Sequence, residues 1–180
     1  MINAIDELNN QILACSRCPL AYARKNAVLG EGKFNSLMLI GEAPGKEEDE
    51  KGRPFVGRAG KLLESLLRTE GLARNDVYIT NVVKCRPPRN RKPSPSEIAA
   101  CIPYLHKEIE LVAPKAILLM GATAASALVQ GVGVFSSRQK NFEYNGIPVR
   151  VTLHPAAALR NPRFVPLIKF DLETSKLLLG

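Results

Sequence analysis

The sequence predicts an α/β protein: a three-layer αβα arrangement around a central, mainly parallel sheet of four strands. Short apolar runs alternate along the chain with segments whose apolar residues recur at helical spacing, the pattern of βαβ units. These runs read as buried strands, as expected of a parallel sheet covered on both faces. The composition is globular, with 46% apolar and 23% charged residues, and 180 residues suit one domain over 1–180 with a full hydrophobic core.

Ile5, Leu8, Ile12 and Leu13 put an apolar stripe on a helix over residues 3–14, which runs into Cys15-Ser16-Arg17-Cys18-Pro19. Residues 36–41 (SLMLIG) form a short apolar run closed by a Gly/Pro turn, the first strand. Residues 45–57 are polar and charged and read as a loop. Leu62, Leu63, Leu66 and Leu67 share one face of a helix over 61–70. Residues 77–81 (VYITN) are the second strand, followed at 86–95 by a basic, proline-rich loop. Ser96-Glu97 opens a helix to about residue 113, with Ile98, Ile102, Leu105 and Ile109 on its buried face. Residues 115–121 (KAILLMG) are the third strand, 122–129 a small-residue helix, and 147–153 (IPVRVTL) the fourth strand. A loop over 154–162 leads into a last helix over 163–178.

Several classes are excluded. The longest apolar stretch, 116–129, is about 14 residues, whereas a membrane-spanning helix needs about 20. The first residues lack a basic segment followed by an apolar core, so no signal peptide is expected, and the protein is placed in the cytoplasm. With 25 Lys and Arg against 17 Asp and Glu, the net charge of +8 points to a polyanionic partner, nucleic acid or an acidic membrane surface. Structural disulfides are rare inside cells, so four cysteines ask for another explanation. Cys15 and Cys18 form a close pair, and Cys85 and Cys101 stand singly. Four thiolates hold a zinc ion or an iron–sulfur cluster. Zinc ribbons show two close pairs, so one pair plus two single ligands tilts the reading towards a cluster.

Ligands of parallel α/β sheets bind beyond the carboxyl ends of the strands, and here each such end carries a chemically distinctive residue. Gly41-Glu42-Ala43-Pro44-Gly45 is a tight turn whose N–H groups suit an anion or a close ligand, or simply a strand-to-loop connection. Glu47, Glu48, Asp49 and Glu50 form an acidic run in a basic protein, either solvated or contributing a carboxylate to a site. Phe55 is an aromatic in a polar loop, a core anchor or a stacking platform for a base. Asn81 ends a strand, and its amide can cap a turn or pair with a base edge. His154, one of two histidines, sits at a strand end before a proline. His106, in mid-helix, reads as structural.

Together Gly41-Glu42-Ala43-Pro44-Gly45, residues 52–60 (GRPFVGRAG), Thr80-Asn81, Lys84-Cys85-Arg86-Pro87-Pro88 and His154-Pro155 resemble the uracil-DNA glycosylase superfamily, most closely its family 4, thermostable, iron–sulfur branch. The resemblance spans nearly the whole chain. It implies a structural [4Fe-4S] cluster on Cys15, Cys18, Cys85 and Cys101. It implies a uracil pocket lined by Gly41, Glu42, Ala43 and Glu48, with Phe55 stacking on a flipped base and Asn81 reading its O4/N3–H edge. His154 would meet O2 and stabilise the charge of the leaving base. Family 1 enzymes carry an aspartate where Ala43 stands, and it orients the water; they carry a tyrosine where Gly45 stands, and it blocks the thymine methyl. The expectation for the water therefore passes to Glu42 or Glu48. A related branch traps the sugar on a histidine in a basic insertion, which this sequence lacks. Uracil-containing DNA, single- or double-stranded, is the implied partner. Its phosphates would meet Arg86, Arg89, Arg91 and Lys92, and Leu159 or Arg160 would fill the gap left by the base. Base removal without strand cleavage, by a monomer at the nucleoid and away from membranes, is expected. Two alternatives stand beside this. One is a non-catalytic nucleic-acid-binding module with a structural four-cysteine metal site, and the other is a sister glycosylase of broader base range.

Overall fold

The computed structural model describes residues 3–129 and 133–179. Its strands are β1 (Glu31–Gly32), β2 (Leu37–Gly41), β3 (Tyr78–Asn81), β4 (Ala116–Met120), β5 (Phe142–Tyr144) and β6 (Ile147–Thr152). They form one sheet in the order β1-β3-β2-β4-β6-β5. The inner four run parallel, and β1 and β5 add antiparallel edges. The expected four strands are all present, and the sheet is larger by two. Strands of two and three residues are too short to show a period of two, so the sequence carries no signal for them.

The helices are α1 (Ala4–Leu13), α2 (Leu20–Ala23), α3 (Lys46–Lys51), α4 (Arg58–Thr69), α5 (Pro95–Val112), α6 (Ala122–Leu128), α7 (Val134–Ser137), α8 (Pro155–Arg160) and α9 (Val165–Lys176). Side chains of the inner strands alternate between two cores. Leu37, Leu39, Ile79, Leu118 and Met120 pack with Leu63, Leu66 and Leu67 of α4 and Ile168 and Leu172 of α9. Met38, Ile40, Ile117 and Leu119 pack with Leu105, Ile109 and Val112 of α5 and Ala124 and Ala125 of α6. A third cluster joins Leu8 and Ile12 of α1 to Leu20, Val83, Cys85, Cys101 and Tyr104. Among the described residues no helix is long and apolar enough to cross a membrane.

Two segments expected as loops contain helices. Residues 46–51 (KEEDEK) form α3, whose first turn is closed by the Glu48 carboxylate reaching back to the Gly45 N–H at 3.1 Å. No apolar stripe announces it, because it is held by polar contacts: Asp49 accepts the N–H groups of Lys25 at 2.9 Å and Asn26 at 3.2 Å. The segment after His154 turns directly into α8, with Pro155 at the first helical position. The helix expected from Ser96 starts at Pro95, where Ser94 and Glu97 form a reciprocal capping box.

Between β2 and β4 the chain reverses its direction of travel across the sheet, β3 lying on one side of β2 and β4 on the other. Such a switch point opens a crevice beyond the strands' carboxyl ends. Gly41 and Asn81, the last residues of β2 and β3, are register partners there.

Candidate active site and cysteine centre

A cleft of about 540 Å³ lies at these strand ends. Glu42, Ala43 and Glu48 line it with Phe55, Asn81, Gly121, His154 and Arg160. Gly41, expected in the lining, is not part of it and ends β2 next to Glu42. A Cβ on Gly41 would stand 2.5 Å from both the Asn81 Oδ1 and the Phe55 Cζ. Only the absence of a side chain lets the aromatic ring and the amide meet across this position.

Asn81 is 2% exposed, and its Oδ1 is buried with no hydrogen-bond partner among the described residues. Leaving a buried acceptor unpaired costs about 1–3 kcal/mol, so the atom is poised for a donor that enters the cleft. Its backbone is firmly held: Lys84 Nζ donates to the Asn81 carbonyl at 2.9 Å, to Thr80 Oγ1 at 2.6 Å and to Glu108 Oε2 at 2.6 Å. Tyr78 and Thr80 hydroxyls complete the shell of Glu108. Lys84 and Glu108 are both fully buried, and every proton of the ammonium has an acceptor.

Phe55 has a backbone φ of +50°, a region that costs a non-glycine residue about 1–3 kcal/mol. Its ring packs against the His154 imidazole, centroids 5.5 Å apart and planes 28° apart. Glu48 fixes the loop around it. One carboxylate oxygen accepts the N–H groups of Val56 at 3.0 Å and Gly57 at 2.8 Å, and the other accepts that of Gly45. Glu48 therefore joins the turn after β2 to the loop that carries Phe55. Glu42 accepts a hydrogen bond from Thr123 Oγ1, at the start of α6. The Ala43 methyl packs against the third core cluster and offers no polar group.

His154 caps α8: its Nδ1 accepts the Ala156 N–H at 3.1 Å. The ring proton is thereby assigned to Nε2, leaving a neutral donor. Burial, with the Arg160 charge second, pushes the imidazole down to about 4 against a smaller upward pull from Glu48. The ring therefore stays neutral at physiological pH.

The basic residues divide. Arg91 is tied to Glu97 through two bonds of 2.7 and 2.8 Å. That pairing is the main reason the Glu97 carboxyl is held down to about 2. Arg86 donates to Asn90 Oδ1 at 2.7 Å. These two shape the loop over 86–95, while Arg89 and Lys92 are exposed and have no ion-pair partner among the described residues. Arg160 is exposed at the rim of the cleft, and Leu159 beside it is 38% exposed. The structure thus gathers Glu42, Ala43, Glu48, Phe55, Asn81 and His154 around one cleft, with Arg91 and Arg160 at its edge. Arg86, Arg89, Lys92 and Leu159 lie outside its lining. Thr123, Lys84 and Glu108 were not anticipated as supports. A fair signal for the first was Gly121, a second glycine closing a strand.

The four cysteines come from three segments: the turn between α1 and α2, the residue run after β3, and α5. All four face one small cavity with Arg24, Lys84 and Tyr104, and none is in a disulfide. Arg24 Nη1 donates to Cys85 Sγ at 3.0 Å, and the Lys84 N–H donates to Cys101 Sγ at 3.3 Å. Burial raises the Cys85 thiol and pushes Cys101 up to about 11, while Arg24 and Lys84 oppose it. Four soft donors with N–H groups aimed at their sulfurs are consistent with a metal cluster. Among the described residues, no His, Cys, Asp or Glu side chains gather as tightly as one bare metal ion requires.

A family model described as the uracil DNA glycosylase superfamily matches residues 30–173. The chain is 45% identical over 168 residues to a type-4 uracil-DNA glycosylase of Pyrobaculum aerophilum, covering 88% of this chain and 86% of the relative. To that of Thermotoga maritima it is 48% identical over 158 residues, covering 86% and 82%. To that of Sulfurisphaera tokodaii it is 41% identical over 183 residues, covering 96% and 83%.

Proposed function

We propose that this chain, which belongs to the uracil-DNA glycosylase superfamily and within it to the type-4 group, is a hydrolase that excises uracil from DNA at the nucleoid, leaving an abasic site. The observation that carries the reading is the unpaired, buried Asn81 Oδ1 in the cleft that Phe55 and His154 also line. In the proposed complex uracil N3–H donates to this oxygen, and the amide nitrogen donates to O4. Cytosine presents the reverse pattern on that edge, and a site built on such bonds rejects the mismatch strongly. Phe55 stacks on the base. The neutral His154 donates from Nε2 to O2 and stabilises the negative charge that develops there as the N-glycosidic bond breaks. A water then adds to the oxocarbenium-like sugar. Glu42 suits that water: Thr123 holds one of its oxygens and the other is free to accept. Glu48, committed to three backbone N–H groups, holds the walls.

On the DNA side, Arg89, Lys92 and Arg160 have no ion-pair partner among the described residues and are available to phosphates, with Arg86 and Arg91 beside them, and Leu159 is the side chain that would fill the vacated stack. Cys15, Cys18, Cys85 and Cys101 would hold a [4Fe-4S] cluster that fastens the N-terminal helices to the sheet. Four cysteines around one cavity, two of their sulfurs met by donors from Arg24 and Lys84, support this reading. The deciding experiment incubates an end-labelled oligonucleotide with one uracil beside a thymine control. A uracil-dependent product that appears only after alkali establishes base removal without strand cleavage. No product from metal-replete, DNA-binding protein leaves a non-catalytic binding module.

A further inference from the structure

Phe55 holds its place against its own backbone preference, so something must oppose the relaxation of the loop. Glu48 secures only the N–H groups after Phe55, those of Val56 and Gly57. The carbonyls before them are secured from the opposite side. Arg74, in a short 3₁₀ turn (Arg74–Asp76) ahead of β3, donates from Nη1 to the Phe55 carbonyl at 3.0 Å and from Nη2 to that of Pro54. Arg74 is itself held by Glu31 on the edge strand β1, whose Oε1 accepts from Arg74 Nε at 3.0 Å and Nη2 at 2.7 Å. The same carboxylate accepts from Arg53 Nε and Nη2, at 2.9 and 2.8 Å. Burial raises the Glu31 carboxyl, but the bonds from Arg53 and Arg74 more than offset this and hold it below its ordinary value. Neither Glu31 nor Arg74 lines the cleft.

We propose that Arg74, oriented by Glu31, is a positioning residue that sets the stacking platform: it pins the Pro54 and Phe55 carbonyls and so holds the Phe55 ring parallel to the plane that the flipped base takes. This rests on the uracil reading for the identity of the base, not for the clamp itself. The chemistry is particular to arginine. A planar fork reaches a carboxylate and two carbonyls at once, whereas a lysine ammonium has a single centre to offer. It also accounts for β1, a strand of two residues whose one ionisable side chain is Glu31.

Two measurements test the clamp. In a double-mutant cycle on a uracil oligonucleotide, Arg74→Gln lowers kcat/KM by about 10- to 100-fold, the scale of a misplacement near 1 Å. In a Phe55→Ala background the same change costs less than about twofold, because the ring it positions is gone. Arg74→Lys behaves like Arg74→Gln, and Glu31→Gln gives a smaller loss with the same dependence on Phe55. An equal penalty with and without the Phe55 ring overturns the proposal, since Arg74 would then act on the fold at large. The second measurement is hydrogen exchange in the full chain, which needs no activity. Arg74→Gln speeds exchange at Val56 and Gly57 and leaves β2 and β4 as in the parent. Unchanged exchange at those two amides refutes the clamp. Should Arg74→Gln not fold, Glu31→Gln carries both measurements. A parent inactive on uracil would sink the functional reading while the exchange result still decides the clamp.

Discussion

Gly41→Ala tests the geometry of the cleft with a single methyl group. The glycine's φ lies outside the left-handed region, so alanine is conformationally allowed, and the perturbation is purely steric. The new Cβ would stand 2.5 Å from Asn81 Oδ1 and from Phe55 Cζ, and 2.7 Å from Phe55 Cε2. Ordinary contact begins near 3.4 Å, so the amide and the ring must each retreat by about 1 Å. Both are buried, and Asn81 is further held through its backbone by Lys84. Overpacking of this kind costs about 1–3 kcal/mol, offset in part by the roughly 0.5–1 kcal/mol that replacing a strand glycine returns. The melting temperature should fall by only a few degrees, roughly 2–4 °C for each kcal/mol lost. Catalysis should suffer far more, because a displacement near 1 Å of groups that position the base costs about 100-fold. The assay is single-turnover excision from a uracil oligonucleotide, with thermal melting by circular dichroism alongside. A variant that melts like the parent and excises within about twofold of it would refute the claim that Phe55 and Asn81 hold the base across Gly41.

Asn81→Asp replaces the amide donor with a second oxygen; burial should keep that carboxyl protonated, able to accept from cytosine N4 and donate to N3. Uracil excision should fall by at least about tenfold and cytosine excision appear; unchanged rates on both bases would remove Asn81 from base reading. His154→Ala should slow excision by about 100-fold or more with little change in affinity for abasic DNA measured by fluorescence anisotropy. The His154 pKa lies near 4 in the folded chain against about 6.5 unfolded, so its contribution to stability is complete above pH 6.5 and is lost as pH falls through 4. The single-turnover rate should accordingly stay level from pH 8 to 5 on account of this residue. An acid limb centred near 6.5 and abolished in His154→Gln would contradict the neutral donor. Cys101→Ser should yield protein with reduced iron and sulfide and a lower melting temperature, read by metal analysis and calorimetry; parental iron content would take Cys101 out of the ligand set.

The parts legible in the sequence share a physical property: their signal is local. β2 and β4 are runs of five buried residues, and α4 shows its apolar stripe at helical spacing. Gly41, Asn81 and His154 were legible because each interrupts an apolar run at the place where a parallel sheet presents its ligands. The supports were not legible, because each is a long-range pair between residues ordinary in their own surroundings. Glu31 meets Arg74 across 43 positions, Glu108 meets Lys84 across 24, and Thr123 meets Glu42 across 81. The partners of Arg86 and Arg91 were hidden for the same reason: a run of positive charge predicts a phosphate surface, and the carboxylate that meets Arg91 is visible only once α5 is capped.

Lys84 shows how far such a pair reaches. Its ammonium holds the carbonyl of Asn81, and its own N–H meets the sulfur of Cys101. It directly precedes Cys85, whose sulfur is bonded to Arg24. Five residues, 81–85, therefore span from the Asn81 amide in the cleft to the cysteine centre. A buried ion pair adds little stability over well-packed apolar residues, so its value here is positional. It fixes where β3 ends, and with that where the Asn81 side chain points. A metal group held by these cysteines would bear on base reading in the proposed complex without taking part in bond cleavage, because the segment that would ligate it is the segment that sets Asn81.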